Sequence, residues 1–367
     1  MIVRAFITHK QAETFSDCQD RFGVNTDTKS ISVSDGVSMS WHQKIWAQLL
    51  VNTFIDSTTW LPTHENIKSL CNQWREKVKK IIQNLKDKNA PEHLIYRNER
   101  YLAENKSAGA TFVGIRFTNM EWSGMVLGDS CLIEWDGEKA TFYTSQQEDS
   151  FDNSPDYFDS DPQKSGKGTP KKINGTINKK SVLLLVSDPF SDYLLKHNKQ
   201  GDVAKYINLL LEIDCHDKFE AIVEEWRKDG MHNDDSTLVV IEYDNNEDVE
   251  IQKMDDINDL IDKEQADEKS TKGLKEEDNP SPETNQASKT EENTTSATLT
   301  TNICYVDENQ FIKEFFDTYY HIIFEKNRPN NKKILKKWFN RLKYDAIEKA
   351  AEDALVSLFK KYSIIKK

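Results

Sequence analysis

The stretch "KKSVLLLVSDPFSDYL", residues 179–194, contains an apolar run that stops abruptly at a serine and an aspartate. The run occupies residues 182–186, and Ser187 and Asp188 follow it directly. A short apolar run bounded by polar residues is typical of a buried strand. A strand that ends at Asp188 carries a carboxylate to the rim of a sheet, where binding and catalytic groups are concentrated. We therefore expect chemistry at this end of the strand.

The first 243 residues combine strand-like and helix-like hydrophobic periods. Further strand-like runs are "IVRAFI", "ISVSD", "TFVGIRF", "SGMVLGD", "CLIEW" and "STLVVIEY". Amphipathic helices are predicted over 41–55, 66–85, 202–213 and 218–226. Strands interleaved with paired helices favour an α+β class with separate helical layers over a doubly wound parallel fold. A glycine-rich nucleotide loop is not expected, because the sequence has neither a Gly-x-Gly-x-x-Gly nor a Walker motif.

Aspartates also stand at the ends of three other predicted strands. Asp35 precedes Gly36 after one strand, Asp129 follows a second, and Asp234 precedes a third. Taken singly, each has an ordinary structural explanation, since Asp-Gly favours hairpin turns and aspartate caps helices. Four carboxylates gathered at one place would repel one another, with raised pKa values, unless cations neutralised them.

Oxygen ligands of this kind suit hard divalent ions such as Mg2+ or Mn2+. Two such ions held close together activate a bridging water and clamp phosphoryl oxygens, which is a common arrangement for hydrolysing phosphate esters. Gly36 fits this interpretation, because its carbonyl can approach an ion without a side chain in the way. The pattern therefore indicates hydrolysis of phosphomonoesters.

Composition narrows the functional class and the compartment. The formal net charge of -13 argues against broad attraction to nucleic acid. No apolar run is long enough for a signal sequence or a membrane span, so we expect a cytoplasmic protein with no membrane partner. The five cysteines are scattered without a Cys-x-x-Cys pair, which predicts reduced thiols rather than disulfides or a zinc site.

The sequence divides into three parts at changes of composition. A catalytic-sized domain is predicted over 1–243, an acidic and largely disordered linker over 244–300, and a small basic all-α module over 301–367. The linker holds 17 acidic and 6 basic residues, too polar a mixture to form a core. Its first half leaves room for a short helix near 254–261. The basic residues of the module are either a solvated helix face or a docking surface for an acidic partner or the linker itself.

Six motifs in order carry a resemblance to a known family. They are "CQDRF" at 18–22, "VSDGV" at 33–37, "GATFVGI" at 109–115, "VLGDSCLIEW" at 126–135, "LLLVSDPFSDYL" at 183–194 and "DDSTLVVIEY" at 234–243. Residues 1–243 thereby resemble the metal-dependent 2C-type (PPM family) protein serine/threonine phosphatases, in the shorter bacterial variant. The resemblance implies a four-layer αββα sandwich, in which two antiparallel sheets are flanked by helices.

The resemblance also implies roles for individual residues. Asp35 would bridge two ions, and Gly36 would contribute its backbone carbonyl to one of them. The remaining implied ligands are Asp188 and Asp234, Asp20 acting through a coordinated water, and Asp129 for a more weakly held third ion. The implied cofactors are thus two or three Mg2+ or Mn2+ ions. Asp235 stands where the family often has asparagine and is expected to support the ligands rather than to bind an ion.

The chain departs from the family pattern at three places. Where many members have a histidine acid shortly after Asp-Gly, this chain has Ser40 and then His42. The arginine that grips phosphate is absent from its usual place, and the candidate substitutes are His9, Lys10 and Arg21; among them His9 is favoured. The third departure is Pro189, which replaces the glycine after the third aspartate and fixes the turn that leaves the strand.

The resemblance implies a phosphatase that removes phosphate from phosphoserine or phosphothreonine in a partner protein, by attack of a metal-bridging hydroxide. The candidate catalytic residues are then Asp35, His9 and His42. A cognate kinase is a further expected partner. Two alternatives stay open at this point: a catalytically weak or inactive phosphatase-like scaffold that binds metal and phosphoprotein, and an unrelated metal-dependent hydrolase such as a phosphodiesterase.

Overall fold

The computed structural model describes residues 1–38, 40–145, 155–164, 166–177, 181–244 and 246–276, with side chains described up to residue 266. These residues belong to one compact unit, Met1–Ser281. The strands are β1 (Ile2–Thr8), β2 (Arg21–Asn25), β3 (Ser30–Ser34), β4 (Gly109–Ala110), β5 (Phe112–Thr118), β6 (Glu121–Leu127), β7 (Cys131–Trp135), β8 (Ala140–Tyr143), β9 (Phe158–Asp159), β10 (Lys171–Thr176), β11 (Val182–Val186), β12 (Ser236–Glu242) and β13 (Glu250–Met254). The helices are α1 (Gln43–Ile55), α2 (Lys68–Asp87), α3 (Glu92–Ala103), α4 (Asp188–Gln200), α5 (Val203–Leu211), α6 (His216–Lys228) and α7 (Ile257–Glu276).

Two large sheets dominate the described residues. One has the strand order β13-β1-β12-β11-β7-β8, and the other has the order β10-β6-β5-β3-β2. Neighbouring strands in both are antiparallel, except that β13 runs parallel to β1 at the edge of the first sheet. Strands β4 and β9 form a separate two-stranded sheet.

The apolar run that becomes β11 shows how the layers are held together. Leu183 and Leu185 pack in the core between the two sheets. Leu184 and Val186 point the other way, into a core shared with α4, α5 and α6. Because successive side chains of a strand alternate between faces, an unbroken apolar run is what a strand covered on both sides requires.

A third core covers the outer face of the second sheet. Trp46 and Phe54 of α1 pack there with Trp74 of α2, against Phe112 and Leu127 at the ends of strands. The layers are therefore helices, sheet, sheet and helices, as the resemblance implied. The α+β class and the sandwich architecture are confirmed.

Several elements were not predicted from the sequence. Strand β10 buries only Ile173 and therefore carries little hydrophobic signal. Helix α3 is amphipathic, but Asn98 is its only buried side chain. Helix α4 begins at Asp188 itself, where the sequence indicated a turn fixed by Pro189. Proline is favoured in the first turn of a helix, because the N–H that it lacks has no intrahelical partner there.

The folded unit extends past residue 243, where the sequence predicted that the linker begins. Strand β13 pairs with β1, and Asp255 then accepts hydrogen bonds from the backbone N–H of Ile7 (3.1 Å) and from His216 Nδ1 (2.8 Å). The side chains of β13 are mostly exposed, so the strand is held by backbone pairing at the sheet edge and carries little hydrophobic signal. The rest of the predicted linker, 277–300, and the predicted module, 301–367, lie outside the described residues.

Two further expectations concern the thiols and the membrane. Cys18, Cys71, Cys131 and Cys215 are free thiols, and the first three are buried. Cys304 lies outside the described residues. Within the described part of the chain, none of the helices combines the length and hydrophobicity needed to cross a bilayer.

Candidate active site

Four of the predicted carboxylates lie around one cleft of about 590 Å³. They are Asp35, Asp129, Asp188 and Asp234. The other residues that line the cleft are Val37, Ser38, Pro155, Ser191, Asp192 and His232.

The strand directions explain why residues so far apart in sequence meet here. In the first sheet β11 is antiparallel to β12, so the end of β11 at Asp188 lies beside the start of β12 near Asp234. The backbone N–H of Ser187 donates to the carbonyl of Thr237 (3.2 Å) at this point. In the second sheet β3 and β6 are both antiparallel to β5, so their ends, near Asp35 and Asp129, emerge on the same side.

Asp20 lies behind the cleft and is fully buried. The hydroxyl of Thr237 donates to Asp20 Oδ2 (2.7 Å), which fixes the orientation of the carboxylate. The other oxygen, Oδ1, is buried and receives no hydrogen bond, and the same holds for Oδ1 of Asp129. A buried carboxylate oxygen without a partner is costly, and a cation bound beside these two atoms would remove that cost.

The carboxylates strongly perturb one another. Burial, followed by the charge of Asp235, raises the pKa of Asp20 to about 7. Burial raises the pKa of Asp129 to about 6. The pKa values of Asp35 and Asp188 lie well above the usual range, because both are buried and both face other carboxylates of the cluster. Such a cluster binds either protons or cations near neutral pH.

The donor set fits hard divalent cations, because the groups that converge are carboxylates and because two of their buried oxygens have no partner. Among the described residues, no group of three His, Cys, Asp or Glu side chains is arranged closely enough to hold a metal ion. The charges of Asp20 and Asp188 both raise the pKa of Asp35, so these carboxyl groups lie close to one another. The fit therefore rests on the chemistry of the donors and not on a coordination geometry.

Gly36 packs closely where β3 leaves the sheet. A Cβ atom added to it would lie 2.8 Å from Cγ of Gln43 and 3.2 Å from the carbonyl oxygen of Gln19. Any larger residue would displace the first turn of α1 or the segment before Asp20. The glycine is thus required by close packing beside Asp35.

The two predicted histidines are not among the residues that line the cleft. His42 has a left-handed backbone conformation at the start of α1, and its Nε2 lies 3.1 Å from Oδ1 of Asn98 in the helical layer. His9 packs edge-on against Phe15, and its Nε2 lies 3.6 Å from Oε1 of Glu264 in α7. The contacts of both rings are therefore with helices and loops outside the cleft.

Lys10 and Arg21, the predicted cationic substitutes, do not line the cleft, although Lys10 lies close enough to Asp234 and Asp235 to interact with their charges. Lys10 pairs with Glu13 (2.9 Å), and Arg21 Nη1 donates to the carbonyl of Cys18 (2.9 Å). Among the described residues that line the cleft there is no arginine or lysine.

Asp235 connects the segment before Asp20 to the start of β12. It accepts hydrogen bonds from the backbone N–H groups of Lys10 (3.0 Å) and Gln19 (2.6 Å). Both of its oxygens are thus used to position the backbone that carries Asp20, in keeping with a supporting role.

The sequence interpretation missed His232, which lines the cleft two residues before Asp234. Its side chain is 63% exposed, and its Nε2 lies 4.0 Å from Oδ2 of Asp192, another residue that was missed. The position of His232 in the loop that precedes a predicted ligand was the only signal that could have identified it.

Comparison with known proteins shows the family of the chain. The family model for protein phosphatase 2C matches residues 9–213, which is more than half of the chain. A search of curated proteins finds no match. Among solved structures the chain is similar to a bacterial serine phosphatase, with 16% identity and a TM-score of 0.42, covering 65% of this chain and 96% of the other.

Two other solved structures are similar at the same level. The serine/threonine phosphatase Stp1 from Staphylococcus aureus has 16% identity and a TM-score of 0.43, covering 66% of this chain and 94% of the other. The catalytic domain of the serine threonine protein phosphatase PstP, in complex with two manganese ions, has 15% identity and a TM-score of 0.37, covering 65% and 96%. With the family model matching over most of the folded unit, the chain belongs to the protein phosphatase 2C family and is a phosphoprotein phosphatase.

Proposed function

We propose that the chain removes phosphate from phosphoserine or phosphothreonine in a partner protein, with divalent cations held by its carboxylate cluster. The observation that carries the proposal is the convergence of Asp35, Asp129, Asp188 and Asp234 on one cleft, with Asp20 buried behind it. Without bound cations, the four carboxylates of the cleft would repel a phosphate dianion. The same cleft attracts phosphate once divalent ions outweigh those charges.

The proposed ligands are the residues of this cluster. Asp35 would bridge two ions with help from the backbone of Gly36, and Asp188 and Asp234 would complete the set. Asp20 would act through water, and Asp129 would hold a third, weaker ion. When bound, Mg2+ or Mn2+ would lower the pKa of a water molecule and stabilise the developing charge on phosphorus oxygens.

The chain itself would orient this site and handle protons. Thr237 fixes the Asp20 carboxylate, and Asp235 fixes the backbone before it. His232 is the candidate proton donor to the leaving serine or threonine oxygen, because it is the only histidine among the cleft residues that the structure describes. His232 thereby replaces His9 and His42 as the candidate catalytic histidine. The rings of those two residues contact Glu264 and Asn98 instead.

A second candidate function is a phosphatase-like scaffold that binds metal and phosphoprotein with little turnover. The observation in its favour is that the described part of the cleft lining contains neither arginine nor lysine. Without a cation from the chain, binding of the phosphate would depend on the ions and on backbone N–H groups.

Three further expectations remain part of the proposal. The free thiols suit a reducing compartment, which supports a cytoplasmic location. Residues 301–367 are proposed as a basic helical module that docks the enzyme to a substrate or a cognate kinase. Nucleic acid is not expected as a partner, because the net charge of the chain is -13.

The test is release of phosphate from a phosphothreonine peptide and from p-nitrophenyl phosphate with Mn2+ or Mg2+. The full chain should turn over both substrates, and Asp35→Asn and Asp188→Asn should each abolish turnover. Asp136→Asn is the matched control, because Asp136 is an exposed carboxylate in a turn between β7 and β8. Metal binding by the wild type without turnover would instead support the scaffold, and activity confined to a phosphodiester would support a different hydrolase.

A further inference from the structure

A second pocket, of about 390 Å³, lies on the other side of the segment that carries Asp20. We name it the basic pocket. The residues that line it are Arg21, Lys44, Ile45, Gln48, Leu49, Asn52, Lys77, Lys80 and Ile81.

The pocket follows from the geometry of two helices and one strand. Lys44, Gln48 and Asn52 recur every four residues on α1, so they share one face of that helix. Lys77 and Lys80 are three residues apart on α2 and face the same space. The floor is apolar, since it is formed by Ile45, Leu49 and Ile81, and the cations stand around it.

Two of the cations are held in place by the loop before Asp20. Lys44 Nζ donates to the carbonyl oxygen of Ser16 (2.7 Å), and Arg21 Nη1 donates to that of Cys18 (2.9 Å). These partners are neutral, so they orient the cations without cancelling their charge.

The positive charge of the basic pocket is not balanced by ion pairs within the described residues. On α2, Lys79 pairs with Glu76 (2.7 Å), whereas Lys77 and Lys80 have no ion pair with any described carboxylate. Asp17 lies close enough to interact with Lys44, but its carboxylate accepts a hydrogen bond from Thr14 (2.8 Å). Arg21 likewise interacts with Asp20 and Asp235, and Lys80 interacts with Glu76, whose ion pair is with Lys79. The positive charge that has no ion pair among the described residues is therefore mainly that of the exposed Lys77 and Lys80.

The basic pocket starts beside the carboxylate cleft. Asp20 belongs to the cluster, and the next residue, Arg21, lines the pocket, as expected when adjacent residues point to opposite sides. Likewise Gln43 packs over Gly36 beside the cleft, and the next residue, Lys44, lines the pocket. From Lys44 to Asn52 the pocket runs about 12 Å along α1, a length that roughly four extended peptide residues span.

We propose that the basic pocket binds acidic side chains that flank the phosphorylated residue of the protein substrate. This inference rests on the proposed function. A peptide held in the cleft by its phosphate would reach the pocket with glutamate or aspartate within about six positions, given the span of an extended chain. Exposed lysines contribute mainly to attraction and selection of such a partner.

The acidic segment of the chain itself is the alternative occupant, but three of its described carboxylates are engaged elsewhere. Asp255 accepts from Ile7 and His216, Glu264 accepts from the backbone N–H of Phe15 (3.0 Å), and Asp248 pairs with Lys29 (2.8 Å). The position of the pocket next to the cleft therefore favours the substrate.

The experiment compares two phosphothreonine peptides that differ only in glutamate or glutamine at the flanking positions within six residues of the phosphate. The wild type should show a higher kcat/KM for the glutamate peptide. The double variant Lys77→Ala/Lys80→Ala should lose roughly three- to tenfold of that preference, as expected for two exposed charges. Hydrolysis of p-nitrophenyl phosphate should be unchanged, and Lys79→Ala should behave as the wild type.

Four results would overturn the inference. The double variant could keep the preference for glutamate, or it could lose activity equally on both peptides and on p-nitrophenyl phosphate. An equal gain on both peptides would show that the pocket is covered by the chain itself. The preference could also persist unchanged at high salt, where attraction between exposed charges is screened.

A binding arm separates this inference from the proposed function. Fluorescence anisotropy with the unphosphorylated glutamate peptide requires no turnover, and Lys77→Ala/Lys80→Ala should weaken binding by a similar factor. If the wild type hydrolyses neither peptide, the proposed function fails. The binding measurement still shows whether the basic pocket binds acidic side chains. Equal binding of the glutamate and glutamine peptides to the wild type would contradict the inference even in an active enzyme.

Discussion

Replacing Asp20 with asparagine should stabilise the protein when divalent ions are removed. Burial and the charge of Asp235 raise the pKa of Asp20 from 3.8 to about 7. A difference of that size means that, without a cation, the ionised carboxylate destabilises the folded state by about 4 kcal/mol. The amide of the new side chain would keep an oxygen to accept the Thr237 hydroxyl, so the substitution removes the charge and retains the hydrogen bond.

The sign of the pH dependence follows from the raised pKa. In the folded state Asp20 keeps its proton up to about pH 7, whereas in the unfolded state it loses the proton near pH 4. The stabilising contribution is therefore complete below about pH 4 and is lost as the pH rises through about 7. With chelator present, the free energy of unfolding of the wild type should fall across this window, and Asp20→Asn should reduce the fall.

The assay is urea denaturation at several pH values, first with EDTA and then with Mn2+. In EDTA at pH 8, Asp20→Asn should unfold at higher urea than the wild type, by up to about 4 kcal/mol. Mn2+ should narrow this difference, since an ion that binds only the folded state stabilises it by about 2.7 kcal/mol at one hundred times its dissociation constant. The variant lacks one carboxylate and should gain less.

Asp136→Asn is the control for this comparison. The backbone N–H groups of Lys139 and Glu138 lower the pKa of Asp136, so its charge stabilises the folded state and its loss cannot produce a gain. If Asp20→Asn were less stable than the wild type in EDTA at pH 8, or if Mn2+ stabilised both equally, Asp20 would not belong to a cation-binding cluster.

Three other substitutions test separate parts of the structure. His232→Gln should lower kcat for a phosphothreonine peptide by roughly 10²- to 10⁴-fold. Hydrolysis of p-nitrophenyl phosphate should be nearly unaffected, because nitrophenolate leaves without a proton. Equal losses on both substrates would assign His232 another role. Burial lowers the pKa of His216, but the hydrogen bonds to Asp255 and Glu220 outweigh it and raise that pKa to about 9. Thermal stability should therefore fall as the pH rises from 6.5 through 9, and His216→Gln should flatten that profile. An unchanged profile would argue against the contact with Asp255. In Gly124→Ala the new Cβ would lie 1.9 Å from the carbonyl oxygen of Gly114, so urea denaturation should show a loss of at least about 2 kcal/mol, and a stability equal to that of the wild type would contradict this packing.

The sequence predicted the parts of the site that depend on local pattern. Asp35, Asp129 and Asp188 each follow an apolar run, and the sandwich brings these strand ends to one cleft. A strand buried on both faces, such as β11, gives an unmistakable run because both cores demand apolar side chains.

The sequence could not predict features that depend on tertiary contacts. The histidines show this best: His42 was close to Asp35 in sequence, yet the left-handed turn at the start of α1 directs its ring towards Asn98. His232, by contrast, enters the cleft only because β12 lies beside β11. Edge strands such as β13 are held by backbone hydrogen bonds, so an acidic sequence can form one without a hydrophobic signal.

The carboxylates of the cleft are proposed to gather around divalent cations. Anomalous diffraction at the manganese edge, from crystals grown with Mn2+, would locate such ions. Manganese peaks are expected within the cleft, in contact with Asp35, Asp188 and Asp234, and should be lost in Asp35→Asn. Manganese found only at surface sites, or a cleft free of anomalous signal at saturating Mn2+, would contradict the proposal.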